Sequence, residues 1–440
     1  MSRDRDTIFA LSSGRPPAAI AVVRISGPHA GAALTALIGR VPQPRLAALA
    51  RVRDPQSGEL LDEALALWFP APKSETGEDV AELQLHGGHA VIAATLTALG
   101  RIAGLRLAEP GEFTRRAFAN GQLDLTAVEG LADLIAAETE AQRRQAFHHL
   151  KGLLGNKAED WRRRLIEALA LVEASIDFSD EADVPEDLVT PALNRVRTLA
   201  AEIDAALAQG TRGERIREGF TVAIAGPPNA GKSTLLNRIA KREAAIVSPH
   251  AGTTRDVMEL HLDLDGYPVT LLDTAGIRET DDPVEQEGMR RARARAASAD
   301  LVLWVMDTAE PASPPDALGA AVWILHNKMD LVAGSDAGTA GPSSFAISAR
   351  DGLGMDALLT ALGREAGGAL GGESALITRA RHRQALVETS EALARARNET
   401  REDILAEELR LATRSLGRLT GRVDVEDILD VIFRDFCIGK

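Results

Sequence analysis

An apolar run, Phe220-Thr-Val-Ala-Ile-Ala225, breaks into Gly226-Pro-Pro-Asn-Ala-Gly-Lys-Ser233, and few stretches restrict a fold as tightly as this one. The run reads as a buried strand. The loop after it has two glycines bracketing four residues, so backbone N–H groups can turn inward around an anion. Lys232 then neutralises β/γ-phosphate charge and the Ser233 hydroxyl reaches a Mg²⁺. Thr234-Leu-Leu-Asn237 opens a helix whose positive N-terminal end faces the same phosphates. A strand, a phosphate loop and a helix in that order require a layered α/β domain around them.

The chain has 440 residues, enough for two or three domains with separate cores. No run of eighteen apolar residues occurs, and Met1-Ser-Arg-Asp-Arg-Asp6 lacks the apolar core of a secretory signal, so the protein is expected in the cytoplasm and off the membrane. The single cysteine, Cys437, excludes an intramolecular disulfide framework and a cysteine-rich zinc site. A net charge of −14 repels a phosphate backbone at long range, so any nucleic-acid contact is local or supplied by a partner.

Two short β-like runs, Ile8–Ala10 and Ala19–Ser26, flank a Pro/Gly turn, and a helix is expected over 28–39. Strands at 63–69 and 79–86 and a helix over about 88–103 complete an α+β domain, residues 1–120. From Leu123 to about Gln209 the apolar positions recur every three or four residues, as in Trp161, Leu165, Leu169, Val172 and Ile176. The same signature returns in Leu405, Leu409, Ala412, Leu416 and Leu419 and in Val425, Ile428, Ile432 and Phe436, with Asp424 and Asp427 placed to cap the last helix. Two independent half-bundles would each leave an apolar stripe uncovered, so one helical domain in two parts is expected, 121–216 and 373–440. Glycine-rich linkers near 210–219 and 366–372 set off the inserted domain, 217–372. There, apolar strands alternate with helices, and a hairpin turns at Asp265-Gly266. The fold class is multidomain α/β, the inserted domain having a mostly parallel sheet with helices on both faces and a ligand at the strands' carboxyl ends.

The order of motifs in that domain selects guanine. Asn327-Lys-Met-Asp330 follows an apolar strand, and the Asp330 carboxylate can accept both the ring N–H and the exocyclic amine of guanine; adenine offers no such pair. Lys328 would pack on the ring or steady the phosphate loop, and Ser348-Ala349 would present a backbone donor to the guanine carbonyl. Between these and the phosphate loop lie Gly252-Thr-Thr254 and Asp273-Thr-Ala-Gly276. Ser233 and Thr254 are the expected Mg²⁺ ligands, Asp273 holds a metal-bound water, and Gly276 lets the backbone approach the γ-phosphate. The GTP site is thus expected to comprise Asn229, Ala230, Gly231, Lys232, Ser233 and Thr234, then Ser248, Pro249, His250, Ala251, Gly252, Thr253 and Thr254. Asp273, Thr274, Ala275 and Gly276, Asn327, Lys328 and Asp330, and Ser348, Ala349 and Arg350 complete it. Ile277 stands where many regulatory GTPases carry the glutamine that orients the attacking water, so a polar group from elsewhere is needed, and the acidic segment Glu279–Glu287 offers several.

Arg24-Ile-Ser-Gly27, Thr76-Gly-Glu-Asp79, His86-Gly-Gly88, Pro110-Gly-Glu-Phe113, Leu123-Asp-Leu125, the nucleotide motifs and the terminal Cys437-Ile-Gly-Lys440 together resemble the MnmE (TrmE) family of bacterial and organellar tRNA-modification GTPases over the whole length. The resemblance implies an N-terminal domain that dimerises and binds formyl- or methylene-tetrahydrofolate, and a GTPase domain activated by K⁺-dependent dimerisation. It implies a homodimer that joins the flavoprotein MnmG (GidA) in a heterotetramer and acts on tRNA, adding an aminomethyl-type group at C5 of the wobble uridine. Carried over by position, Asn229, Ser248, His250 and Thr253 match the K⁺ site, Glu285 the catalytic carboxylate, and Arg24, Glu82 and Lys440 the folate contacts. Gln122 stands where close relatives have a lysine for folate, and Glu75 where an aromatic residue usually precedes Thr-Gly-Glu-Asp. Cys437 is either a nucleophile toward a one-carbon unit or a small apolar contact at a helix end. The alternative function, a regulatory GTPase switch of the ribosome-assembly type, would leave Arg24, Glu82 and Gln122 without a role.

Overall fold

A computed structural model describes residues 6–178, 187–242, 244–246, 259–273, 299–311, 314, 321–332, 338–423, 429, 432–433, 436 and 438–439. The chain divides into two compact units: Met1–Ala132 with Leu150–Val196 and Arg395–Lys440, and Asp133–His149 with Arg197–Ala394.

In the first unit, β1 (Thr7–Leu11), β2 (Ala18–Ser26), β3 (Ala48–Arg53), β4 (Leu60–Phe69), β5 (Val80–Gly87) and β6 (Leu105–Leu107) form one sheet in the order β3-β4-β5-β2-β1-β6. All pairings are antiparallel except β1 with β6. Strands β3 and β6 were not expected from the sequence, because Ala48-Leu-Ala-Arg-Val-Arg53 alternates weakly and Leu105-Arg-Leu107 is too short to show a period. Alternation elsewhere is clean: Val23 and Ile25 of β2 and Ala81, Leu83 and Leu85 of β5 are buried in one core with Leu34 and Leu37 of α1 (Ala30–Ile38) and Leu99 of α2 (His89–Gly100). Side chains of opposite parity, Arg24 and Glu82 among them, therefore fall on the other face. The short helix α3 (Glu112–Ala119) follows the turn at Pro110-Gly111.

Four further helices come next in the chain: α4 (Leu125–Ala136), α5 (Glu140–Leu150), α6 (Leu153–Asp177) and α7 (Val189–Ala208). Trp161, Leu165, Ala168 and Val172 make a buried stripe on α6.

The second unit holds α8 (Arg212–Glu218), β7 (Phe220–Ala225), α9 (Lys232–Ala240), β8 (Glu259–Leu264), β9 (Tyr267–Asp273), β10 (Leu301–Asp307), β11 (Ala321–Asn327), β12 (Gly338–Gly341), β13 (Ser344–Ala346), α10 (Met355–Leu370) and α11 (Ala380–Ala396). Its sheet runs β12-β13-β11-β10-β7-β9-β8, parallel inside and antiparallel at both edges. Asp265 and Gly266, at φ 54° and 83°, turn the β8–β9 hairpin with two left-handed residues, the geometry that matches strand twist. Val222, Ile224, Leu271, Leu303, Val305 and Leu325 share a core with Leu235 and Leu236 of α9 and Leu358 and Leu362 of α10.

The two stretches expected as glycine-rich linkers are helical. A Cβ at Gly213 in α8 would lie 2.1 Å from the Ile377 carbonyl oxygen, and one at Gly367 in α10 would lie 3.2 Å from the Tyr267 ring. Their glycines serve close packing instead of flexibility. The last helix described in full, α12 (Glu402–Thr420), returns to the first unit and packs on α6, burying Leu405, Leu409, Ala412, Leu416 and Leu419. The cap expected at Asp424 and Asp427 lies outside the described residues. No described helix is long and apolar enough to cross a membrane.

Candidate functional site

The parallel strands of the second unit end in register. Ile224 of β7 pairs with Asp273 of β9, and Asp307 of β10 with Asn327 of β11, so their carboxyl ends share one edge. The phosphate loop emerges there from β7. At Gly226, φ 144°, a Cβ would sit 2.1 Å from the Val305 carbonyl oxygen; at Gly231, φ 97°, a Cβ would sit 2.3 Å from Asn327 Nδ2. The loop thus nests against two neighbouring strand ends that only glycine can approach. Helix α9 starts at Lys232 directly behind Gly231, so its free N–H groups face the loop. Lys232 Nζ donates to the carbonyls of Gly226 and Pro227, 2.8 Å each, which places an ammonium over the cradle. Asn229 is left-handed, φ 60°, a conformation asparagine tolerates better than most residues. Ala230 is buried, Ser233 and Thr234 occupy the first turn of α9, and the helix N-terminus favours an anion.

Asn327 ties two loops of this edge together. The residue is 2% exposed; its Nδ2 donates to the Ala230 carbonyl at 2.7 Å, and its Oδ1 accepts from the Ala349 N–H at 2.9 Å. One side chain therefore locks the phosphate loop to the Ser348-Ala349-Arg350 turn. Of the backbone donors expected from Ser348-Ala349, the Ala349 N–H is engaged by Asn327 and could reach a guanine carbonyl only as a shared donor. Arg238 of α9 braces the same turn, Nε to the Ala349 carbonyl at 3.0 Å. Asp330 accepts from Ser348 Oγ at 2.6 Å, which orients the carboxylate that would read guanine. Lys328, at φ 68°, donates to Asp307 Oδ2 at 2.7 Å. That ammonium, with the Ala309 N–H, holds the Asp307 carboxyl below the ordinary carboxylate range. Sequence reasoning missed Asp307 and Arg238. Asp307 ends an apolar strand as Asn327 does, and that position was its only signal.

Ser248, Pro249, His250, Ala251, Gly252, Thr253, Thr254, Thr274, Ala275, Gly276, Ile277, Glu285, Cys437 and Lys440 lie outside the described residues, as does the side chain of Asp273.

A second cluster lies in the first unit. Arg24 and Glu82 are direct cross-strand partners on β2 and β5. Arg24 Nε and Nη2 each lie 2.9 Å from Glu82 Oε1, and the guanidinium sits over the Phe113 ring, 5.7 Å from its centroid. Glu75 also pairs with Arg24, through Nη1. The motif carboxylates nearby are supports. Arg116, buried, donates to both oxygens of Glu78, to Glu112 Oε1 and to the Asp6 carbonyl. Arg106 makes a two-nitrogen contact with Glu112 at 2.8 and 2.6 Å. Burial pushes the Glu112 carboxyl up, but Arg106, the Glu109 N–H and Arg116 outweigh it and hold the group below its ordinary value. Ser26 Oγ donates to Glu78 at 2.7 Å, and Asn120 Nδ2 holds the Thr76 carbonyl at 2.7 Å. Gln122 sits beside the same loop, its Nε2 3.2 Å from where a Gly77 Cβ would be. Ile438 bridges to Pro110, and Gly439 packs on the Leu11 carbonyl, so the described part of the C-terminal motif reaches the turn that carries Phe113.

A mostly parallel sheet, a glycine-nested phosphate loop and an Asn-Lys-x-Asp turn locked to it define a P-loop GTPase. Residues 7–122 match the family described as GTP-binding protein TrmE N-terminus, and residues 125–437 the MnmE helical domain. The chain belongs to the MnmE (TrmE) family. A tRNA modification GTPase MnmE of Rhodopseudomonas palustris (strain BisB18) is 58% identical over 451 residues, covering 100% of both chains. Another of that name, from Bradyrhizobium sp. (strain ORS 278), is 61% identical over 442 residues, 99% of each chain. The G domain of the T. maritima FeoB iron transporter matches 33% of this chain and 98% of its own at 21% identity, with a TM-score of 0.23, too low to bear on the argument.

Proposed function

We propose that the chain is a K⁺-stimulated GTP hydrolase of tRNA modification. With a flavoprotein of the MnmG (GidA) type, it adds an aminomethyl or carboxymethylaminomethyl group to C5 of the wobble uridine, drawing on a tetrahydrofolate one-carbon unit. The observation that carries the GTP reading is the Asn327 lock, which joins the phosphate loop to the turn beside Asp330. The relatives' shared name, at 58–61% identity over nearly whole chains, supports the tRNA step.

In this reading Lys232 and the N-terminus of α9 hold the phosphates, and Asp330, steadied by Ser348, accepts the two adjacent N–H donors of guanine. Ser233 and Thr254 would hold Mg²⁺, which neutralises phosphate charge. The side-chain oxygen of Asn229 is a hard neutral donor suited to K⁺, with Ser248, His250 and Thr253 completing that set. Glu285 would orient the attacking water, a task Ile277 lacks the atoms for.

The Arg24 cluster fits a folate. Arg24 Nη1 is buried and makes no hydrogen bond among the described residues, leaving donors for a ligand oxygen. The Glu82 carboxylate can accept from the 2-amino-4-oxo edge of a pterin, the pattern Asp330 reads in guanine. Gln122 and Lys440 would complete this pocket, and Cys437 would be the candidate for covalent chemistry. The organisation proposed is a dimerising folate-binding domain over 1–120, helical parts over 121–216 and 373–440, and a GTPase domain over 217–372. The protein would act in the cytoplasm as a homodimer within a heterotetramer. Mass spectrometry of wobble nucleosides in tRNA from cells lacking the protein tests this reading; an unchanged profile would leave a GTPase switch without modification chemistry. Hydrolysis assayed in K⁺ and in Na⁺ tests the cation, and Asn229→Ala should abolish the difference.

A further inference from the structure

Glu75 is held over Arg24 by its neighbours in the chain. Ser74 Oγ donates to the Glu78 carbonyl, Thr76 Oγ1 shares a hydrogen bond with Ser26 Oγ at 2.7 Å, and the Thr76 carbonyl accepts from Asn120. Anchored on both sides, the Glu75 backbone has little freedom to carry its side chain away. Its carboxylate is 43% exposed, whereas Arg24 is 14% exposed, so the pair sits where a buried cation meets solvent. The contact is an ion pair without hydrogen-bond geometry, because Nη1 makes no hydrogen bond. Glu82 is engaged differently, facing Nε and Nη2 of the same guanidinium. One cation is thus flanked by two carboxylates, one aligned by the sheet and one from a loop.

We propose that Glu75 is a displaceable internal carboxylate that competes with the ligand for Arg24 Nη1. The inference rests on the folate reading of this pocket. With Glu75 present, the cluster of Arg24, Glu82 and Glu75 carries a net charge of −1, and a folate, itself an anion through its glutamyl carboxylates, must displace like charge to reach the guanidinium. A neutral side chain at this position removes that competition. Glu75 lowers the occupancy of the pocket at a given folate concentration and makes it depend on ionic strength, because salt screens a half-exposed pair more than a buried one.

The test is isothermal titration of the full-length chain with 5-formyltetrahydrofolate, using wild type, Glu75→Gln, Arg24→Ala and the double variant. Glu75→Gln should bind about three- to fivefold more tightly than wild type, the upper part of the range expected for losing one partly exposed charge pair at a ligand cation. In the Arg24→Ala background the same substitution should change affinity by less than about twofold. Equal gains in both backgrounds would mean a general field effect, and equal affinity of wild type and Glu75→Gln would mean no competition; either overturns the proposal while leaving the folate pocket standing. If no variant binds, the folate reading itself falls and takes this proposal with it. Unfolding temperatures of the four proteins keep the comparison sound, since Glu75 is exposed and its replacement leaves the core untouched.

Discussion

Replacing Asn327 by alanine isolates the contact that joins the two loops of the proposed nucleotide site. The side chain makes two hydrogen bonds, to the carbonyl of Ala230 and from the N–H of Ala349, residues 1% and 3% exposed. Each such bond contributes about 0.5–1.5 kcal/mol net, and a buried partner left unpaired costs about 1–3 kcal/mol. Taking about 1 kcal/mol for each end, the variant loses about 2 kcal/mol of loop alignment, or about thirtyfold in nucleotide affinity. Titration with a fluorescent GDP analogue measures this directly, with thermal unfolding as the control for global stability. Asn327→Asp adds a check on direction. It keeps an acceptor for the Ala349 N–H but turns a carboxylate oxygen toward the Ala230 carbonyl, so it should bind nucleotide no better than the alanine variant. Affinity within twofold of wild type in Asn327→Ala, with an unaltered unfolding temperature, would refute the reasoning that this residue couples the two loops.

Asp330→Asn should weaken GTP binding and shift preference toward xanthosine nucleotides, because an amide can donate to the ring carbonyl that replaces the exocyclic amine; competition binding with XDP reads this, and equal ATP and GTP affinity in the wild type would sink it. Glu285→Ala should keep GTP affinity while losing about 10²-fold or more in hydrolysis under saturating K⁺, whereas Glu279→Ala and Glu287→Ala lose much less; a wild-type rate in single-turnover assays would reassign the water to another group. The Glu112 carboxyl is held below its ordinary value of 4.5, so the unfolded state binds the proton more readily and stability rises with pH through that window. The contribution is present above about pH 4.5 and is lost as pH falls through the lowered value, so Glu112→Gln should flatten the acid side of a denaturation-versus-pH curve for the intact chain.

The phosphate loop and the order of motifs behind it were legible because each carries its own chemistry in a short run. Gly226, Gly231, Lys232, Asn327 and Asp330 are readable without knowing what lies next to them, and so are the helical stripes of Trp161–Val172 and Leu405–Leu419. Periodicity also gave most strands, missing β3, β6 and β12 where alternation is weak, too brief or absent. Pairings between distant residues were not legible. That Asn327 grips Ala230 and Ala349, that Asp307 holds Lys328, and that Arg24 meets Glu82 across two strands all depend on register between segments 20 to 100 residues apart. The glycines near 213 and 367 looked like linkers for the same reason, since composition cannot distinguish a glycine that frees the chain from one that admits a neighbour. Glu75 read only as a departure from an aromatic position, and its charge gained meaning when folding set it against Arg24. Local sequence determines which groups are present and what they can donate or accept, while the tertiary structure decides which cation each carboxylate meets, because that is a matter of distance in space.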